Sequence, residues 1–306
     1  MFLRSASSLV PIVLATTVLN FSGCKPSLQD VAKARADSEQ AREASLASVP
    51  RTQRIDVVGL DFAFVVQPTA APGHATFQFV NEGKVRHEYN MVLLKSGITL
   101  DQYMSAEKNK VPLSTLVDGT IGVLFANPGT LSSSTLSTEL LAGRTYAIRC
   151  IFPDSATGRK HEELGMFGQI VVKEGAARPA PPMVFDTIVG TDYAFRFPPT
   201  LTPGIHHFVF VNNGKQRHEF GVELLKAGET LKHYREVDNK GGDVEKLISE
   251  SLGLLHSPAG TTPPATLDIN ILPGREYVIE CGFKDTDKSP EHYKLGMFGS
   301  IHGAMQ

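Results

Sequence analysis

The sequence predicts an all-β protein, two tandem Greek-key β-sandwiches each carrying a short inserted helix. Three observations lead there. The chain matches itself at an offset of 131 residues, the distance from position 87 to position 218. The matched stretches read as short strands, rich in β-branched and aromatic residues and punctuated by Gly, Pro and Asn. The length of 306 residues suits two domains of about 100–200 residues each. A βαβ fold would need helical crossovers at regular intervals, and the pattern does not supply them.

From the N-terminus, residues 1–23 carry one charge, Arg4, ahead of an apolar run from Leu9 to Leu19 that is short for a membrane-spanning helix of about 20 residues. They read as a signal peptide. The run ends in Phe21-Ser22-Gly23-Cys24, which resembles the bacterial lipobox, where cleavage precedes a lipidated cysteine. Lys25 rather than an aspartate follows, so the expected location is the cell envelope, on the periplasmic face of the outer membrane, with lipidated Cys24 as the membrane contact. Residues 24–50, polar and rich in Ala, Ser, Arg and Glu, read as a tether. The first sandwich is expected over 51–174, a proline-rich linker over 175–182, and the second sandwich over 183–306.

The repeat runs from end to end of both sandwiches. Asp61-Phe62-Ala63-Phe64 falls on Asp192-Tyr193-Ala194-Phe195, and Phe79-Val80-Asn81 on Phe210-Val211-Asn212. Gly143-Arg144-Thr145-Tyr146 falls on Gly274-Arg275-Glu276-Tyr277, with no net insertion between. Thr99-Leu100-Asp101-Gln102 has capping-box spacing and predicts a helix that recurs near Leu231 to Val237.

Composition excludes some functions. The 30 basic and 32 acidic residues are interspersed, so no basic stripe points to nucleic acid. Neither a phosphate-cradling glycine loop nor a Gly-x-Ser-x-Gly elbow is present.

Of three cysteines, Cys24 is assigned to lipidation, which leaves one per repeat, at matching positions. A lone thiol cannot bridge within its own copy, so in an oxidising compartment it is buried, bridged between copies, or a ligand. Its sequence neighbours favour the last: His87, Cys150, His161 and Met166 recur as His218, Cys281, His292 and Met297. Two imidazoles, a thiolate and a weak thioether make the trigonal site that holds copper in electron-transfer proteins. The bland alternative is an inert core cysteine, a packing methionine and a histidine bonded to backbone.

With these residues in place, the chain resembles the cupredoxin family of plastocyanin-like blue-copper proteins over nearly all of both repeats. There the first histidine follows an Asn-containing turn, as in Asn81-Glu82-Gly83-Lys84-Val85-Arg86-His87-Glu88. The cysteine ends a strand whose alternate residues face the core, as Tyr146, Ile148 and Cys150 would. The second histidine precedes Gly-Met and a last strand, as His161 precedes Gly165-Met166. The resemblance implies one copper per repeat, with His87, Cys150, His161 and Met166 as ligands in the first and His218, Cys281, His292 and Met297 in the second. The sequence departs from the family between cysteine and second histidine, where Ile151 to Lys160 number ten against a few. Pro153-Asp154 and Gly158 predict that this loop turns out and back.

Asn81 and Asn212, in the preceding turn, and Glu88 and Glu219, beside the first histidine, are expected to hold the imidazole from behind. For the glutamates the alternative is a solvated strand position. Arg86, Arg149, Arg217 and the His206-His207 pair read as surface residues. The expected function is a membrane-tethered copper electron carrier with an unknown donor and acceptor, not a catalyst. A copper oxidase or nitrite reductase would need further histidines, and no His-x-His pair appears. The remaining alternatives are a metal-free structural or partner-binding lipoprotein and a copper storage or delivery protein.

Overall fold

The computed structural model describes residues 52–109 and 111–305; the predicted signal peptide, Cys24 and the tether lie outside them. The first repeat forms β1 (Gln53–Leu60), β2 (Ala63–Val65), β3 (Thr69–Ala70), β4 (Gly73–Asn81), β5 (His87–Leu94), α1 (Leu100–Lys108), β6 (Val117–Ala126), β7 (Thr130–Leu140), β8 (Thr145–Arg149) and β9 (Phe167–Val172). The second repeats the series as β10 (Phe185–Thr191), β11 (Ala194–Arg196), β12 (Thr200–Leu201), β13 (Gly204–Asn212), β14 (His218–Leu225), α2 (Leu231–Asn239), β15 (Ile248–Ser257), β16 (Ala265–Ile271), β17 (Glu276–Glu280) and β18 (Phe298–Gly303). The predicted capping box forms: the Gln102 N–H donates to Thr99 Oγ1 at 3.2 Å, and Gln102 Oε1 accepts from the Thr99 N–H at 2.9 Å.

Within each repeat two sheets face one another across aromatic residues. Phe77, Phe79 and Tyr89 are fully buried, both phenylalanines stacking on Tyr89; in the second copy Phe210 stacks on Phe220 and Phe208 meets it at a tilt, all three fully buried. Burial of each such ring stabilises the fold by about 1.5–3 kcal/mol. Tyr146 adds a corner brace: its hydroxyl accepts from the Leu141 N–H at 3.1 Å and donates to the Glu139 carbonyl at 3.3 Å. Tyr277 repeats this on Leu272 and Asn270. Helix α1 lies over the outer face of the second sheet, where Tyr103 packs with Val92, Leu94 and Ala147.

Neither sandwich is closed off from the other, which the tandem reading did not predict. One sheet runs β11-β10-β13-β16-β7-β4-β1-β2 and the other β12-β18-β17-β14-β15-β6-β5-β8-β9-β3, so both continue through both repeats. At one junction Leu136 of β7 pairs with Leu267 of β16, its own counterpart in the repeat. At the other, Val123 of β6 pairs with its counterpart Leu254 of β15. The halves therefore meet about a local two-fold, as in an isologous dimer, and four edge strands are covered by pairing. Polar contacts cross the seam: Asp268 accepts from Ser137 Oγ at 2.5 Å, and Ser133 donates to Glu250 through its N–H at 3.0 Å and its hydroxyl at 2.6 Å. His207 Nδ1 also lies 2.8 Å from Asp268 and His206 Nδ1 2.8 Å from Asp186, so this pair is engaged in the fold rather than free on the surface. The described residues from 52 onward belong to one compact unit, and one core cluster, from Ile55 to Ile301, runs through both repeats.

Because Leu136 and Leu267 are fully buried on that axis, Leu136→Ala and Leu267→Ala should each lower stability by about 2–5 kcal/mol. Urea unfolding followed by circular dichroism should still show one transition spanning both repeats. Two separated transitions in the parent protein would refute the single core.

Candidate metal centre

Four local features bring each donor group inward. His87 is the first residue of β5, and Cys150 directly follows β8, which pairs antiparallel with β5. His161 opens a short 3-10 turn, and Met166 leaves it just before β9. The ten-residue loop from Ile151 to Lys160 does turn out and back, with Pro153 bridged to Lys160. An Asx turn sets the bend, since Thr157 donates to Asp154 Oδ2 through its N–H at 2.9 Å and its hydroxyl at 2.6 Å. The His161 N–H then donates to the Phe152 carbonyl at 2.9 Å, and the Glu162 N–H to the Cys150 carbonyl at 2.8 Å. Met166 is tied to both, donating to the His161 carbonyl at 3.0 Å and accepting from the Cys150 N–H at 3.3 Å.

The donors converge. His87 Nδ1 and His161 Nδ1 are 3.0 Å apart, and Cys150 Sγ lies 3.8 Å from the first and 3.3 Å from the second. In the second repeat the same three separations are 3.0, 3.8 and 3.5 Å among His218, His292 and Cys281. In both triangles one point lies about 2 Å from all three atoms, close to the length of a metal–imidazole bond. All six side chains are buried, with Met166 and Met297 fully enclosed beside them. A methyl group added at Gly59 would lie 3.3 Å from Met166 Cε, and one at Gly190 would lie 3.1 Å from Met297 Cε.

The chemistry of this donor set fits a cation. His87 Nε2–H donates to Asp61 Oδ1 at 3.3 Å, and His218 Nε2–H to Asp192 Oδ1 at 3.4 Å. A proton held on Nε2 leaves Nδ1 as a lone pair aimed at its neighbours. Without an ion, an unprotonated Nδ1 faces a second imidazole and a sulfur in a buried space, an arrangement that buried polar groups avoid. Two imidazoles and a thiolate beside a thioether are the donor set of a trigonal copper centre. The two groups support copper binding, one site per repeat.

Sequence reasoning missed the aspartates that hold the first imidazole, Asp61 and Asp192, although both stood in the matched Asp-aromatic pair. Close approach explains their glycine neighbours: a Cβ at Gly83 would fall 2.5 Å from Asp61 Oδ1 and 2.8 Å from His87 Nε2. Asn81 secures the turn itself, accepting from the Gly83 N–H at 2.9 Å and donating to the carbonyls of Val85 and Ala126 at 2.8 and 2.9 Å. Asn212 repeats this on Gly214, Gln216 and Ser257. The glutamates act on the cysteine instead of the histidine. Glu88 is buried; its N–H donates to Cys150 Sγ at 3.4 Å and its carboxylate accepts from the Ile151 N–H at 3.2 Å. Glu219 does the same for Cys281 and Gly282, at 3.3 and 2.8 Å. The arginines are struts. Arg86 lies beside the stacked rings of Phe125 and Phe152 and bonds Ser251 across the seam, Arg217 covers Phe283, and Arg149 pairs with Glu162.

Phe62 and Tyr193 close the sites, their rings meeting those of His161 and His292 edge-on at 5.0 and 5.1 Å. Both residues adopt φ above +60° (67° and 63°), an unfavourable region for a bulky side chain. Each occupies a two-residue turn between paired strands that holds it there.

Two facing sheets in Greek-key order, with a histidine opening one inner strand and a cysteine, histidine and methionine gathered around the end of its neighbour, decide the architecture. The fold is cupredoxin-like. No family model matches the chain, and no curated protein matches it. Among solved structures, the auracyanin of the photosynthetic bacterium Roseiflexus castenholzii matches at 18% identity over 40% of this chain and 98% of its own, with a TM-score of 0.28. A multicopper oxidase matches at 14% over 82% of this chain and 88% of its own, TM-score 0.25. The copper nitrite reductase of Nitrosomonas europaea matches at 13% over 83% and 94%, TM-score 0.24. The expectation of a non-catalytic protein is corrected here, because the chains matched over both cupredoxin-like repeats include these enzymes. That expectation rested on the lack of a His-x-His pair, which registers only histidines adjacent in sequence and does not exclude donors brought together from distant strands. Among the described residues, no helix is long and apolar enough to cross a membrane.

Burial pushes both thiols up to about 12, against a partial offset from the N–H groups of Glu88 and Glu219. Burial also pulls the imidazoles of His87, His161 and His218 below their ordinary value. At pH 7 the metal-free sites therefore hold neutral thiols, and the imidazoles of His87, His161 and His218 are neutral. Metal uptake displaces the thiol proton, so affinity rises with pH through the neutral range toward about 12. It falls at acid pH once the imidazoles of His87, His161 and His218 protonate. In the metal-free protein, Cys150 and Cys281 should resist a thiol reagent at pH 8 and react fully in guanidinium. Equal rates in the two conditions would contradict the enclosed site.

Proposed function

We propose that the protein is a copper-binding electron-transfer protein of the cell envelope, with one type 1 copper site in each repeat, anchored to the membrane through lipidated Cys24. The observation that carries this reading is the convergence of two imidazole Nδ1 atoms and one thiol sulfur on a single buried point, formed twice. His87, Cys150 and His161 would hold the ion in the first repeat and His218, Cys281 and His292 in the second. Met166 and Met297 would supply the weak thioethers. Copper bound there would supply a one-electron couple, since soft sulfur favours Cu(I) and imidazole tolerates Cu(II).

The residues around the ion support that use. Asp61 and Asp192 hold one imidazole in a single tautomer, Glu88 and Glu219 aim backbone N–H groups at the sulfur, and the sheet fixes both ends. A donor set so held rearranges little when the ion changes charge. Phe62 and Tyr193 keep water from the imidazoles. Soluble or membrane-bound proteins of the envelope would serve as donor and acceptor, and the signal peptide expected over residues 1–23, ahead of Cys24, supports that location.

Copper titration of the purified protein tests the reading. One equivalent should bind per repeat and give an intense visible thiolate-to-copper band. Cys150→Ser and Cys281→Ser should each remove about half of it, and the double variant all of it. A colourless protein without tight copper would leave the metal-free lipoprotein in its place. Cys24→Ala should release the protein from the membrane fraction; unchanged sedimentation with membranes would reject the lipid anchor.

A further inference from the structure

The two centres match closely on every side but one. The spacings among the donor atoms agree within 0.2 Å, at 3.3 against 3.5 Å for the most different pair. The aspartate behind the first imidazole lies at 3.3 Å in one repeat and 3.4 Å in the other. The N–H to sulfur distances are 3.4 and 3.3 Å. The difference lies behind the second imidazole. In the second repeat, His292 Nε2–H donates to Asp285 Oδ1 at 3.1 Å, and the Tyr193 hydroxyl donates to Asp285 Oδ2 at 2.7 Å. In the first repeat, His161 Nε2 is buried with no hydrogen-bond partner among the described residues.

Two sequence differences produce this. Phe62, with no hydroxyl, stands where the second copy has Tyr193. Thr157 captures Asp154, the counterpart of Asp285, with both its N–H and its hydroxyl. Lys288 takes the place of Thr157 in the second copy, and there Thr286 and Ser289 hold the turn to each other instead. Asp285 is thereby left to turn toward His292.

We propose that Asp285, held by Tyr193, makes the second repeat's copper site the more reducing of the two. This rests on the copper reading above. A carboxylate bonded to the far N–H of an imidazole makes that ring a stronger donor, and a stronger donor favours the more highly charged ion. Asp285 and Tyr193 are positioning residues, acting on the ion only through His292. The consequence is a protein whose halves share a fold and a ligand set yet hold an electron unequally, with the first repeat preferring the reduced ion.

Spectroelectrochemistry of the full-length copper-loaded protein tests it. Cys150→Ser isolates the second site and Cys281→Ser the first. The second site should have the lower potential by at least about tenfold in the oxidised-to-reduced ratio, which is about 59 mV for one electron. Adding Asp285→Asn to Cys150→Ser should raise that potential toward the first site's while the visible band persists. The converse exchange, Phe62→Tyr with Thr157→Lys in Cys281→Ser, should lower the first site's potential, and it decides the matter if Asp285→Asn does not fold. Equal or inverted potentials in the isolated sites overturn the proposal. So does an unmoved potential in Asp285→Asn with its band intact. A parent protein that takes up no copper instead overturns the copper reading from which this follows.

Discussion

The structure depends on a single electrostatic demand, made twice. Two imidazole lone pairs and a sulfur are held within hydrogen-bond distance of one another inside a packed sandwich, with nothing but electron-rich atoms facing inward. Such a group is stable only with a positive charge or a proton at its centre. Much of the nearby sequence serves to keep the group from relaxing. Asp61 holds the tautomer, Gly83 makes room for it, Asn81 ties the turn, and Glu88 fastens the residue after the cysteine. None of these side chains needs to touch an ion, yet each removes a way for the donors to move apart.

The local two-fold between the repeats adds a second constraint. Pairing β7 with β16 and β6 with β15 hides the edge strands at the seam and merges two cores into one. Each half therefore supports the other's sheet, and a site in one repeat is braced by residues of the other, as where Arg86 reaches Ser251. The two-fold also makes small differences meaningful. When backbone, ligands and core repeat so closely, the exchange of Phe62 for Tyr193 and of Thr157 for Lys288 shows as one altered contact at the ligands, the hydrogen bond behind the second imidazole.

Much of the candidate site was legible in the sequence because ligand types are chemically distinctive and the repeat showed them twice. The alternation at Tyr146, Ile148 and Cys150 placed the thiol in the core, and the capping box placed α1. The ten-residue loop gave weaker warning of its path, since Pro153 and Gly158 mark a bend without saying where it returns. Glu88 was misread because a glutamate beside a histidine on a strand points to the opposite face, and only the neighbouring strand shows that face to be occupied by the loop after Cys150. Arg86 and Arg149 were misread for a related reason, since aromatic rings pack over their guanidinium groups, whereas Arg217 is exposed as expected, with its guanidinium against the ring of Phe283.

By itself, the sequence determined the local and periodic properties of this chain. These are two copies of one β pattern, their turns and helices, and an ordered set of soft and borderline donors, all consequences of side-chain type and spacing along a strand. Only tertiary structure decided whether those donors share a point, which carboxylate stands behind which imidazole, and that the two sheets run unbroken through both halves. Those outcomes depend on contacts between residues far apart in the chain, where a shift of one strand register or one turn conformation would separate groups that the sequence lists in the same order.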